Sequence, residues 1–348
     1  MTESIYESYL ADFNGVADGL AEGLRGKNVF VTGANGLIGS CLADLVLCCS
    51  RKLGFGVKVS LGARRLESLA SRFEHWDGSF NAVRYDAMRN DLPDERFDYV
   101  FHCASNAHPV AYAAQPVETA MTNVMGMYNL LSKLASDGGS RMVYVSSSEV
   151  YGARQSADPY KEGDCFPVDS LNPRSCYPAS KRLAENLCAG FASEHGVDSV
   201  IVRPGHVFGP MITASDSRAH AQFARNAAAG QDIVMKSPGL QFRSYCYAVD
   251  CASAMLFAAL RGVSGEAYNI ANPDSDCTIA DLAEAFAEAA GTKVVHEQAS
   301  ALEQRGYNLM DNSALDSSKL CGLGWRGMFD LQHGASRTVE LLRAGCFA

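Results

Sequence analysis

Tyr177 and Lys181 stand four residues apart in the run SCYPASKR, one turn apart on any helix that carries them. Ser147 lies upstream in VYVSSSEVYG. A phenol, a cation and a hydroxyl in this order suit the removal of a proton and a hydride from a secondary alcohol, with the phenol as base. A free tyrosine has a pKa near 10, so the base needs a positive charge beside it. Lys181 would stabilise the phenolate, as would the positive charge of a bound nicotinamide. Ser147 would align the substrate oxygen.

The hydride needs an acceptor, and a second motif offers it a seat. In VFVTGANGLIGS, Gly33, Gly36 and Gly39 follow an apolar strand and open a helix. Glycines at this spacing let the backbone turn sharply and approach a pyrophosphate, which then meets the N–H groups of the helix start. The turn would hold a nicotinamide dinucleotide through Gly33, Asn35, Gly36, Leu37, Ile38 and Gly39. Lys181 would also reach its ribose hydroxyls. Asp86 in VRYDAM is placed to accept from the adenine amino group, and small Ala104 lets the cofactor lie against the backbone. Ala87, Asn123 and Arg203, with Tyr177 and Lys181, complete the expected contacts. The second strand ends in LGARRLES without an acid for the ribose diol, and Arg64 and Arg65 stand there instead. That chemistry leans toward the 2′-phosphate of NADP.

These residues need a scaffold that brings strand ends together. From Asn28 onward, apolar runs such as VFV, YVFH and MVYV alternate with helical stretches. The alternation predicts an α/β fold, a Rossmann-type doubly wound parallel sheet with helices on both faces. Residues 1–25 read as an N-terminal helical cap and 26–202 as the dinucleotide-binding domain. Residues 203–348 read mainly as a smaller, interwoven substrate domain, with 243–264 returning to the core. There we expect a helix near 218–229, the strand pair IVM and FRSYCYA, and a helix opened by a Thr278–Asp281 capping box.

Composition excludes several classes. The chain of 348 residues has a net charge of −9 and 47% hydrophobic residues. An acidic balance argues against a nucleic-acid surface. The longest apolar run, CLADLVLCC, is too short to span a membrane. Twelve cysteines include no C-x-x-C pair, so they read as buried hydrophobes and not as a disulfide or metal framework. The acidic, helix-like residues 1–25 do not read as a signal peptide, and a reducing cytoplasm is the expected compartment.

The combined motifs resemble the extended short-chain dehydrogenase/reductases that modify sugar nucleotides, over nearly all of residues 27–295. The runs HCASNAHPVAY, QPVETAMTNVMGMYNLL, SSSEVYG and NPRSCYPASKRLAENLC carry the likeness. Within that group they are most similar to the UDP-glucuronate decarboxylases. The resemblance implies NAD as cofactor and a UDP-sugar as substrate. It also implies a homodimer built on the helix near 116–136 and the one beginning at Tyr177. It places Glu149 as a catalytic carboxylate and Ser148, Tyr112, His206, Arg218 and Arg243 around the sugar and its phosphates. His206 departs from the asparagine usual there, and Ser147 from the commoner threonine. A 4,6-dehydratase with Glu149 as base, a 4-epimerase, and an inactive NAD(P)-binding regulator remain as alternatives. No metal is expected.

Overall fold

The computed structural model describes residues 3–107, 109–154, 156–213, 216–298 and 310–347. Strands β1 (Asn28–Thr32), β2 (Lys58–Ala63), β3 (Asn81–Arg84), β4 (Tyr99–His102), β5 (Arg141–Val145) and β6 (Asp198–Pro204) form one sheet. A late arrival, β10 (Ala267–Ile270), completes it. Their order is β10-β6-β5-β4-β1-β2-β3, and every neighbour pair is parallel. Buried on both faces, the strands sort their side chains with a period of two. Val29, Val31, Phe101, Val143, Val145, Val200 and Val202 enter one core. Phe30, Val100, Met142, Tyr144 and Ile201 enter the other.

The chain runs outward from β1 to β2 and β3, then returns to lay β4 on the other side of β1. That reversal opens a crevice beyond the ends of β1 and β4, where ligands of such sheets bind. Two long helices, Pro116–Asp137 and Cys176–His195, pack against each other on one face. The helix Leu37–Lys52 lies on the opposite face and is buried almost all round, from Leu37 through Ser50. Its outer side is roofed by the N-terminal helices Glu3–Ala11 and Asn14–Leu20 and the turn Ala21–Leu24.

The second part of the chain builds a small sheet of β7 (His206–Phe208), β9 (Phe242–Tyr247), β11 (Asp276–Thr278) and β13 (Asn312–Ser313). The expected strand pair does not form. β8 (Ile233–Met235) pairs with β12 (Val294–His296), while β9 pairs with β7, β11 and β13. The return to the core is also shifted. β9 stays in the small sheet, and the elements that rejoin the main body are the helix Ala248–Arg261 and β10. The helix Ala219–Ala228 and the capping box of Thr278 and Asp281, at the start of Ile279–Ala290, match expectation. All twelve cysteines are free. Among the described residues no cluster fits a metal, and no helix is long and apolar enough to cross a membrane.

Candidate active site

The turn after β1 leaves no room for a side chain at Gly33 or Gly39. Gly33 has φ of 65°, and a Cβ there would stand 2.8 Å from the Ala104 backbone beyond β4. A Cβ on Gly39 would collide with the Gly33 carbonyl oxygen. These contacts draw the helix start, the turn and the β4 end around one crevice. Gly36 caps the helix Leu37–Lys52 without a side chain, so Leu37 and Ile38 present their N–H groups to an incoming anion. Residues and geometry therefore fit a dinucleotide pyrophosphate. Asn35 is tied to Ser68 at 3.1 Å, and Asp86 accepts from the Met88 N–H at 3.1 Å, beside Ala87. Arg64 and Arg65 are exposed at the end of β2.

At the other end of the crevice, Ser147 ends the β5 segment and caps the short helix Ser148–Tyr151 by accepting from the Glu149 N–H at 3.2 Å. The helix Cys176–His195 carries Tyr177 and Lys181 on its buried face. Ser147 and Tyr112 lie close enough to the Tyr177 hydroxyl to favour its ionised form. The Tyr112 and Tyr177 rings stack at 4.6 Å with planes 24° apart. The triad of Ser147, Tyr177 and Lys181 is thus brought together, with Tyr112 laid against it.

The charge balance differs from the sequence expectation. Burial, then the charge of Glu149, holds the Tyr177 phenol up at about 12, with Ser147 and Arg218 acting the other way. Lys181 stands 5.6 Å from the Tyr177 ring centre and donates to the Val145 carbonyl at 2.7 Å. Burial also lowers the Lys181 ammonium to about 7. Lysine is therefore a neighbour of the phenol without overcoming its desolvation, and the protein by itself keeps Tyr177 protonated at neutral pH.

Other expected residues divide into two groups. Arg218 caps the helix Ala219–Ala228, holds Asp216 with two donors, and carries charge toward Tyr112 and Tyr177. His206 opens β7; burial, then Arg243, holds its ring neutral, and its Nδ1 has no hydrogen-bond partner among the described residues. Ser148 is buried. Three others are held by partners within the protein. Arg203 is engaged by Glu185, Tyr151 and the Glu162 carbonyl, which ties the polar loop to β6. Asn123 bridges Ser105 at 2.7 Å and Ser180 at 2.9 Å, and Ser180 in turn holds the Tyr177 carbonyl, so it fixes the catalytic helix. Arg243 is buried and spends its donors on the carbonyls of Phe242, Met310 and Asp311.

Sequence reading assigned no role to Arg174, yet it joins two side chains of the site. Its two terminal nitrogens each donate to Glu149 at 3.0 Å, and its guanidinium lies 4.4 Å from the Tyr112 ring centre. Asn172 caps the turn Pro173–Ser175 by accepting from the Arg174 N–H. Asn-Pro-Arg immediately before the catalytic helix was the available signal.

Three buried histidines give the molecule a testable acid response. Burial, followed by the charge of Lys181 or Arg218, holds His102 and His220 down at about 3, and His206 is also depressed. An unfolded chain protonates such rings below about pH 6.5. The unfolded state then binds more protons, so stability falls as pH drops from about 6.5 toward 3. Each ring kept neutral costs about 2 kcal/mol at pH 5. Asp250 and Asp276, pushed up to about 6 by burial, act in the opposite sense. They return only about 1.4 kcal/mol each at pH 5, so the histidines win. The urea midpoint is expected to be lower at pH 5 than at pH 7.5; a flat or reversed dependence refutes this balance.

The chain belongs to the NAD dependent epimerase/dehydratase family, whose model matches residues 29–271. It is accordingly an NAD-dependent enzyme of the extended short-chain dehydrogenase/reductase type. It is 31% identical to UDP-glucuronic acid decarboxylase 6 of Arabidopsis thaliana over 75% of this chain and 73% of the relative. It is 27% identical to UDP-glucuronic acid decarboxylase 1 of Xenopus tropicalis over 91% and 72%. Among solved structures, it superposes on Thermotoga maritima UDP-glucose 4-epimerase with a TM-score of 0.77 at 23% identity, over 92% of this chain and 99% of that one. The Bacillus cereus UDP-glucuronic acid 4-epimerase, in complex with UDP-glucuronic acid and NAD, gives 0.75 at 21% identity, over 91% and 99%. The structural likenesses bear on the fold.

Proposed function

We propose that this enzyme oxidises C4 of a UDP-hexuronate and decarboxylates it, yielding a UDP-pentose or its 4-keto precursor. The observation that carries this reading over dehydration is the state of Glu149. Both of its oxygens are engaged by Arg174, so it is poorly placed to act as the free base that dehydration demands at C5. Decarboxylation needs no such base. Tyr177 takes the C4 hydroxyl proton, with Ser147 aligning that oxygen. A bound nicotinamide supplies a reversible hydride acceptor. Once C4 is a ketone, the C6 carboxylate lies β to it, and CO2 departs with its electrons passing into an enolate. Tyr177 and Ser147 then stabilise that oxyanion as hydrogen-bond donors; a proton taken up at C5 gives the 4-keto pentose, and return of the hydride to C4 gives the UDP-pentose. Arg218, with Tyr112 and His206, faces the sugar and phosphate side. Incubation with UDP-glucuronate is expected to release CO2 and give a pentose or 4-keto product by mass. Loss of water would indicate the dehydratase, and unchanged mass with inverted configuration the epimerase.

We infer that the cofactor is NAD in its non-phosphorylated form, as the family match supports. Arg64 and Arg65 are then solvated, and NADP should bind at least about tenfold more weakly in calorimetry, a factor worth about 1.4 kcal/mol. Equal or tighter NADP binding would restore the reading of the two arginines as a 2′-phosphate site. We infer further that two copies pair through the helices Pro116–Asp137 and Cys176–His195. Their outer faces leave Val117, Met121, Tyr128 and Leu183 exposed. Light scattering should report twice the chain mass; a monomer at micromolar concentration would refute the pairing.

A further inference from the structure

We propose that Arg174 is a positioning residue of the reaction: its guanidinium fixes the Glu149 carboxylate and presses the Tyr112 ring onto the Tyr177 ring. The inference deepens the proposed C4 oxidation and rests on it. The four side chains form one continuous stack. Glu149 accepts two parallel bonds from Arg174, each 3.0 Å. The same guanidinium covers Tyr112 at 4.4 Å, and Tyr112 covers Tyr177 at 4.6 Å. A planar fork can grip a carboxylate and lie over an aromatic face at the same time; an ammonium cannot do both with one fixed geometry.

The stack also joins pieces that approach from three places in the chain. Tyr112 belongs to the helix Pro109–Ala114, Glu149 to the turn after β5, and Arg174 to the turn before the catalytic helix. All three pairs are largely removed from water, with the Arg174 and Glu149 side chains 18% and 19% exposed. At such depth the bidentate pair holds its geometry far better than a surface ion pair.

The arrangement has an electrostatic consequence. The groups facing the Tyr177 hydroxyl are Glu149 and Ser147 from the turn after β5, Tyr112 from its short helix and Arg218 from the substrate side. Lys181 lies behind the ring on its own helix, Tyr144 faces it from β5, and Arg174 stands beyond Glu149 and Tyr112. Glu149 is the one carboxylate among them, and its charge opposes ionisation of the phenol. Arg174 balances that charge. Without it, Tyr177 would face an uncompensated carboxylate and titrate at a higher pH.

The test compares Arg174→Gln, Arg174→Lys, Glu149→Gln and the double variant Arg174→Gln/Glu149→Gln. The reading is the rate of nicotinamide absorbance change on adding a sugar nucleotide, across pH. Arg174→Gln is expected to lower kcat at least tenfold with KM within about threefold, and to move the acid limb of the rate profile to higher pH. Arg174→Lys should restore the position of that limb but not the rate. In the Glu149→Gln background the limb should no longer respond to Arg174→Gln. A tenfold rise in KM with kcat intact would instead make Arg174 a direct substrate ligand and overturn the proposal. An acid limb that shifts equally in both backgrounds would overturn it as well. Because the reading is the hydride step, it survives failure of the decarboxylation assignment, which product mass decides separately. A crystal structure of Arg174→Gln gives a measure independent of turnover. The Tyr112–Tyr177 stack should open and Glu149 move; an unchanged stack in a folded variant refutes the role.

Discussion

Tyr177→Phe is expected to lower kcat by about a thousandfold, the middle of the range for removing a positioned acid–base group. The substitution takes away one oxygen and leaves the ring, and the ring is held by contacts a phenylalanine keeps. Tyr112 still stacks on it, and Asn123 still fixes the helix through Ser180 and the Tyr177 carbonyl. The glycine turn that receives the dinucleotide is built from β1, β4 and the helix Leu37–Lys52, so cofactor affinity should change little. Loss of one hydroxyl's hydrogen bonding costs on the order of 1 kcal/mol, which a molecule of this size tolerates. The wild-type rate should climb with pH through the neutral range, because burial and then Glu149 hold the phenol up near 12. In Tyr177→Phe that climb should vanish. Retention of a tenth of the wild-type rate, with the climb intact, would remove Tyr177 from the role of base.

What the sequence made visible follows from which interactions are local. The turn glycines, the Tyr177–Lys181 spacing and the Thr278 capping box are patterns within one stretch of chain, and each reappears in place. The buried parallel strands were legible because a strand covered on both faces must be apolar at consecutive positions, as Val29, Phe30 and Val31 are. Partnerships across the chain were not legible. Arg203 stood at the end of a strand beside the crevice and read as a cofactor contact; its partners Glu185 and Glu162 are spatial neighbours that no spacing announces. The Arg174–Glu149 pair is hidden for the same reason. The desolvation of Tyr177 was not legible either, because one-turn spacing to a lysine says nothing of burial.

Asp44 was silent in the sequence, a single acid inside CLADLVLCC, and its substitution by Ala should be the most damaging single change to stability. It sits in the middle of the helix Leu37–Lys52, fully buried. One oxygen accepts from the Tyr6 hydroxyl and the Trp76 indole N–H, each at 2.9 Å. The other accepts from the Tyr9 hydroxyl at 2.9 Å and from Arg72. Four donors from three segments thus converge on one carboxylate, which fastens the N-terminal cap to the dinucleotide domain. Arg72 is the reason the loss is severe. Its Nε and one terminal nitrogen already lack hydrogen-bond partners among the described residues, and its charge is enclosed by the rings of Phe73 and Phe347. Removing one member of a buried pair leaves the other charge without compensation, a loss of about 3–5 kcal/mol. Removing a single donor, as in Tyr9→Phe, forfeits only about 1 kcal/mol. Asp44→Ala should therefore lower the melting temperature by roughly 10 °C on the scale of larger domains, and Tyr9→Phe by a few degrees at most. Adding Arg72→Met to Asp44→Ala should recover part of the loss, since the stranded cation goes with it. Equal melting temperatures for Asp44→Ala and Tyr9→Phe would show that the hub is a set of ordinary hydrogen bonds and not a buried charge held by its partners.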